Sequence, residues 1–245
     1  MVKAQPMLRF QLREQLPAHL IFVAANIGII VILMIVAQFM TGDDVTGSYT
    51  SIGLSAGIYM SIIASTALRS TFRLGAQLGT SRNRCFLDFV LFSIITSFAL
   101  AVTIEVVLSV FSAATISTKM FHFADLFSVL YLSELDAGAL SLSQHLLSTV
   151  FNLCSILFCT AIGTILSMLF WRLNRLGRTV LFILLIASPC WFSLLLAHSL
   201  ITNLPTLFFF FGKPGNVMGV LLLATALLFF LSWLLGRTVH IRPAK

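Results

Sequence analysis

Long runs without ionised residues alternate along this chain with short clusters of arginine. The runs are about 18–40, 51–68, 86–113, 146–171, 179–201 and 217–236, and only the third carries acidic residues, Asp88 near its start and Glu105 further in. At about 1.5 Å per residue, each matches the roughly 30 Å of hydrocarbon in a bilayer. Helices follow rather than strands, because an unbroken apolar run would line the inside of a barrel as well as its outside. The pattern predicts an all-α polytopic membrane protein, a six-helix transmembrane bundle forming one domain over residues 1–245.

The basic residues orient that bundle. Lys3, Arg9 and Arg13 precede the first run, and Arg69, Arg73, Arg82 and Arg84 separate the second from the third. Arg172, Arg175 and Arg178 separate the fourth from the fifth, and Arg237, Arg242 and Lys245 follow the sixth. Of the 15 Lys and Arg residues, only Lys119 and Lys213 fall on the other side, with Asp43, Asp44, Asp125, Glu134 and Asp136. By the positive-inside rule both termini lie in the cytoplasm of a multi-pass plasma-membrane protein. Residues 5–16 read as a short interfacial helix, with Leu8, Leu12 and Leu16 at i, i+4 and i+8 and Pro6 suited to a first turn; a frayed polar tail is the alternative. The apolar outer segment 114–145 is expected to fold back on the membrane surface or the bundle, and 203–215, with its Phe208–Phe211 run, to dip into the interface.

Composition agrees with this reading. The chain is 59% hydrophobic and 9% charged over 245 residues, with a mean hydropathy of +1.04. A soluble domain carries about a quarter charged residues, because its surface faces water. The net charge of +7 belongs to the topology clusters, not to one basic, aromatic-laced face of the kind that grips nucleic acid. The first apolar run is longer than a signal-peptide core of roughly 7–15 residues and lacks a small-residue cleavage site. Cys85, Cys154, Cys159 and Cys190 show no CxxC spacing and read as small packing residues. His19, His122, His145, His198 and His240 are scattered without metal-ligand spacing. Nucleotide-binding, metalloprotease and hydrolase motifs are absent, so no catalytic residue, metal or directly bound cofactor is expected.

Two stripes of small residues stand out. Gly53, Gly57, Ser61 and Ser65 recur every four residues in the second run, and Ser155, Cys159, Gly163 and Ser167 do so in the fourth. Such faces let helix backbones approach closely in lipid. They serve packing within the chain, a dimer, or the wall of a conduit. Glu105 is the acidic residue furthest inside a run. A buried carboxylate without a partner costs several kcal/mol, so it either lines the outer part of a transport route or pairs locally near the outer boundary. Asp88 lies one turn from Arg84 and pairs with it on a helix.

The loop Ala67–Phe89, ALRSTFRLGAQLGTSRNRCFLDF, is more elaborate than a basic anchor needs. Ser70 or Thr71 is placed to cap a short helix over 70–79. Phe72 and Ala76, and Leu74 and Leu78, lie four apart, Gly79 suits its end, and Ser81 caps the next span. A basic interfacial helix, two spans, the stretch FRLGAQLGTSRNR and four further spans resemble the permease subunits of type-2, export-class ABC transporters. The likeness is to the small six-span permeases of Gram-positive bacteria. The resemblance covers the whole chain in topology and about fifteen residues in motif. It implies a coupling helix in which Phe72, Arg73, Gly75, Gln77, Gly79, Ser81 and Arg82, with Leu78 among them, dock in a groove of a cytoplasmic ABC ATPase. The long outer segment between the third and fourth spans departs from the family, whose main outer elements often lie between the fifth and sixth.

The resemblance further implies that ATP and Mg bind the partner ATPase and not this chain, and that a second permease copy or a paralogue completes the path. An amphipathic peptide, drug or lipid-like substrate would suit an apolar, Phe-rich bundle. Two other classes fit the composition. An ion-coupled secondary transporter would show intramembrane charge pairs, broken helices and inverted repeats. A membrane scaffold or antibiotic-sensing accessory subunit would have partners but no ATPase.

Overall fold

The computed structural model describes residues 5–39, 47–49, 52–115, 121–123, 126–131, 141–174, 176–181 and 212–237. The described elements run in the order α1 (Gln5–Phe39), β1 (Gly47–Tyr49), α2 (Ile52–Gln77), α3 (Arg82–Thr115), β2 (Phe121–Phe123), α4 (Leu126–Tyr131), α5 (Leu142–Arg172) and α6 (Pro214–Arg237). Residues 176–181 are also helical. Helices α1, α2, α3, α5 and α6 are long and apolar enough to cross a membrane, and the chain is a helical membrane protein on that ground. The expected fifth span, 179–201, falls outside the described residues beyond 181, as does 203–211.

Two expectations need correction. The N-terminal segment is not a separate interfacial helix: α1 is continuous from Gln5 through Pro17 to Phe39. Residues 5–16 hold no glycine to break the run, and Leu8 and Leu12 pack on the core. Nor is there a separate coupling helix at 70–79. Ser70 Oγ and Thr71 Oγ1 donate back to the Ala67 carbonyl at 3.0 and 2.6 Å, which keeps them inside helix α2 instead of capping a new one. Leu68, Thr71, Phe72 and Gly75 continue the buried face of α2 at i, i+3, i+4 and i+7. The fold is helical, as expected; beside the helices lies one short parallel pairing of β1 with β2, Gly47 opposite Phe121 and Tyr49 opposite Phe123.

One apolar cluster shows how the helices run. Leu8 and Leu12 of α1, Phe72 of α2, Cys85 and Phe86 of α3, Met168 and Trp171 of α5, and Trp233 of α6 meet in it. Helices α1 and α3 therefore start at this end, and α2, α5 and α6 finish there. Arg9, Arg13, Arg69, Arg73, Arg82, Arg84, Arg172 and Arg237 all belong to those helix termini, so we call it the arginine end. At the opposite end Phe127 of α4, Phe151 and Cys154 of α5 and Met218 of α6 form a second cluster. Burial against these rings pushes the Tyr131 phenol above its ordinary value. A third cluster, around Ile30, Met60, Leu100 and Ile156, fills the middle.

The closest helix pair is α2 with α5, which lie parallel along the two small-residue stripes. Gly57 faces Cys159, Gly163 faces the backbone of Ser61, and Ser167 Oγ donates to the Ser65 carbonyl at 3.1 Å. A methyl group on Gly163 would lie 2.7 Å from Ser61 Cα. The stripes are spent on each other, within one chain. Helix α1 adds polar bridges to α2 beside its apolar contacts, in which Phe22 stacks on Tyr59 at 4.2 Å between centroids. Gln11 donates to Thr71, Tyr59 and His19 share a hydrogen bond of 2.9 Å, and Ser55 Oγ donates to Asn26 at 3.3 Å.

Candidate functional site

Helix α2 has 26 residues, about 39 Å of helix at 1.5 Å per residue, which exceeds the roughly 30 Å of hydrocarbon. The helix is thus longer than one hydrocarbon thickness requires. The helix stops at Gly79, whose φ of +64° is the left-handed conformation that glycine adopts without penalty. The Thr80 amide donates to the Gly75 carbonyl at 2.9 Å and the Gly79 amide to Ala76 at 3.4 Å. That pair of bonds is a Schellman motif. The Ser81 carbonyl then accepts from the Arg84 and Cys85 amides as α3 begins. Helices α2 and α3 thus form a hairpin with a four-residue turn, 78–81.

The eight residues expected to meet an ATPase divide in two. Phe72 and Gly75 are buried; Phe72 packs edge-on to Trp171 of α5 at 6.0 Å between centroids. Arg73, Gln77, Leu78, Gly79, Ser81 and Arg82 are exposed. Leu78 is 59% exposed at the very tip of the hairpin. Arg82 turns toward α6 and donates to the Arg237 carbonyl at 3.2 Å. The hairpin is thus anchored by its buried face and presents Arg73, Gln77 and Leu78 outward.

A second polar constellation lies near the opposite end. The side chain of Glu105 on α3 is only 12% exposed and is held from α5. His145 Nδ1 lies 2.6 Å from Glu105 Oε1, and Ser148 Oγ donates to Oε2 at 2.6 Å. Both carboxylate oxygens are therefore engaged, and the local-pairing reading of Glu105 is the one this geometry carries. His145 escapes a reading of apolar runs because the fourth run starts after it, and Ser148 passes there as one more small residue. The missed signal is the capping box at Ser141-x-x-Gln144, whose reciprocal bonds start α5 at Leu142. That start places His145 and Ser148 one turn apart on one face. Among the described residues, no three His, Cys, Asp or Glu side chains converge as metal ligands would. No protein-family model, curated protein or solved structure matches this chain.

Proposed function

We propose that this chain is the transmembrane permease subunit of an ATP-driven, export-class ABC transporter. The observation that carries the reading is the α2–α3 hairpin at the arginine end. It is tied to the bundle through buried Phe72 and Gly75 and offers exposed Arg73, Gln77 and Leu78. An exposed apolar side chain flanked by arginine and glutamine on a rigid tip is suited to a groove on a soluble partner. Because Phe72 packs on Trp171 and Met168 shares its cluster, a push on the tip would reach α5 directly.

Orientation and span count belong to the same proposal. The arginine end is cytoplasmic by the positive-inside rule. Helices α5 and α6 both finish there, so the connection between them has to return once across the bundle. The apolar run at 179–201 supplies that sixth crossing, and both termini are cytoplasmic. ATP binding and hydrolysis occur in a separate ABC ATPase with its own Mg, and closure of the ATPases rocks the helices as bodies. A second permease copy or paralogue completes a path for an amphipathic peptide, drug or lipid-like substrate.

The test uses the chain reconstituted with an ABC ATPase from the same organism. Arg73→Glu should abolish co-purification of the ATPase and its stimulation, while the purified permease melts like wild type. Normal co-purification and stimulation would refute the docking assignment. The Glu105–His145 pair is the one feature favouring an ion-coupled carrier instead. That reading requires uptake or release driven by a proton gradient with no ATPase present.

A further inference from the structure

The arginine end holds a feature that motor docking does not use. The guanidinium of Arg237, the last residue of α6, lies over the Trp233 ring at 4.5 Å. The Arg237 carbonyl accepts the bond from Arg82 of α3. Two arginines separated by 155 positions in sequence are thereby brought to one corner, where α3 begins and α6 ends. Both are exposed. The cation–π contact holds the Arg237 guanidinium over the indole, and a guanidinium carries a planar fork of N–H donors matched to phosphate.

The surroundings fit the rest of a lipid. Leu227, Phe230, Leu231 and Leu234 on α6 are exposed at 60, 55, 40 and 41%. They continue from this corner into the apolar length of the helix. Trp233 belongs to the level where aromatic residues mark the membrane boundary. We infer that the Arg82–Arg237–Trp233 corner is a binding site for an anionic phospholipid, with the phosphate held by the two guanidiniums and an acyl chain laid along α6. Charge complementarity selects an acidic headgroup over a zwitterionic one, since an anionic leaflet attracts each nearby arginine. The stacked, pre-positioned Arg237 makes the corner more selective than arginines on free helix ends such as Arg9 and Arg13.

This site stands whether or not the chain is an exporter subunit. The experiment is native mass spectrometry of the full-length protein in micelles doped with palmitoyl-oleoyl phosphatidylglycerol or phosphatidylcholine. Wild type is expected to retain phosphatidylglycerol preferentially. The R82Q/R237Q pair should weaken that retention by roughly 25-fold, about five-fold for each arginine, while R9Q/R13Q keeps most of it. R237Q alone leaves the carbonyl that Arg82 reaches, so its expected loss of about five-fold reads binding even if the double variant folds poorly. R237K keeps the charge without the planar fork and should fall between R237Q and wild type. Equal loss in R9Q/R13Q, or no lipid preference in wild type, would overturn the site. Competition by inorganic phosphate at equal concentration would overturn it as a lipid site.

Discussion

Helix α2 is held on two sides by opposite means. Against α5 it offers Gly57, Ser61 and Ser65, and the two backbones come so close that Gly163 has no room for a side chain. Against α1 it offers Ser55, Tyr59 and Thr71, which reach across by hydrogen bonds to Asn26, His19 and Gln11. In water both interfaces would be driven by apolar burial. In lipid that driving force is gone, so close packing and polar bridging are what remain. The difference teaches which contact is permanent. A backbone seam tolerates no sliding, whereas a polar bridge exchanges partners at small cost. Helices α2 and α5 form the stiff beam that joins the hairpin tip to the bundle, and α1 is a peripheral helix fastened at points.

Substitutions that break the beam should therefore cost most. Gly163→Leu forces a side chain into the Ser61 backbone, and overpacking of this kind should cost about 3 kcal/mol or more. In a detergent melt that corresponds to a fall of roughly 6–12 °C. Gly57→Ala should be milder, since its new methyl would meet only the Cys159 side chain, at 2.9 Å from the sulfur. Cys159→Ala should restore much of that loss, whereas no substitution of the Ser61 side chain should rescue Gly163→Ala. Rescue in the second case would show that α2 and α5 are not joined backbone to backbone.

The Glu105 network is a polar bridge of the heavier kind, since a carboxylate is at stake. Glu105→Ala strips the partner from His145 and Ser148 and should cost about 1–3 kcal/mol. Replacing Glu105 and His145 together should cost less than the two single losses added, because each single variant leaves the other group stranded. Additive losses in the melt would mean that the two side chains do not interact.

The smallest effect belongs to the Gln11–Thr71 bridge. Interhelical hydrogen bonds in membranes average about 0.6 kcal/mol in double-mutant cycles. Thr71→Val should cost on that order, since it leaves the buried Gln11 amide without its acceptor. The Thr71→Val/Gln11→Leu pair should return near to wild type, because Gln11 Oε1 already has no partner and its removal relieves a buried polar atom. A large loss in the pair would make α1 part of the beam.

Much of this architecture was legible in the sequence, because hydrocarbon thickness imposes a length on every apolar run and arginine marks one end of it. The four-residue spacing of small residues announced two packing faces, but spacing cannot say that they face each other. Their partnership depends on the parallel course of α2 and α5. The separate helix at 70–79 was misread for a local reason. Ser70 has the right type for a cap, and only the burial of Phe72 and Gly75 shows that α2 has a reason to continue. Glu105 was conspicuous by its charge; His145 was hidden by neutrality and by a helix start that lay upstream of the apolar run. The pairing of 47–49 with 121–123 has no period long enough to be read.

The hairpin as the point gripped by an ATPase is tested most directly by a cysteine at position 78, in a chain whose native cysteines have been replaced. A membrane-impermeant maleimide should label Leu78→Cys in inside-out vesicles and not in right-side-out ones, and added ABC ATPase should protect it. Labelling from the external face, or full labelling with the ATPase bound, would contradict the account.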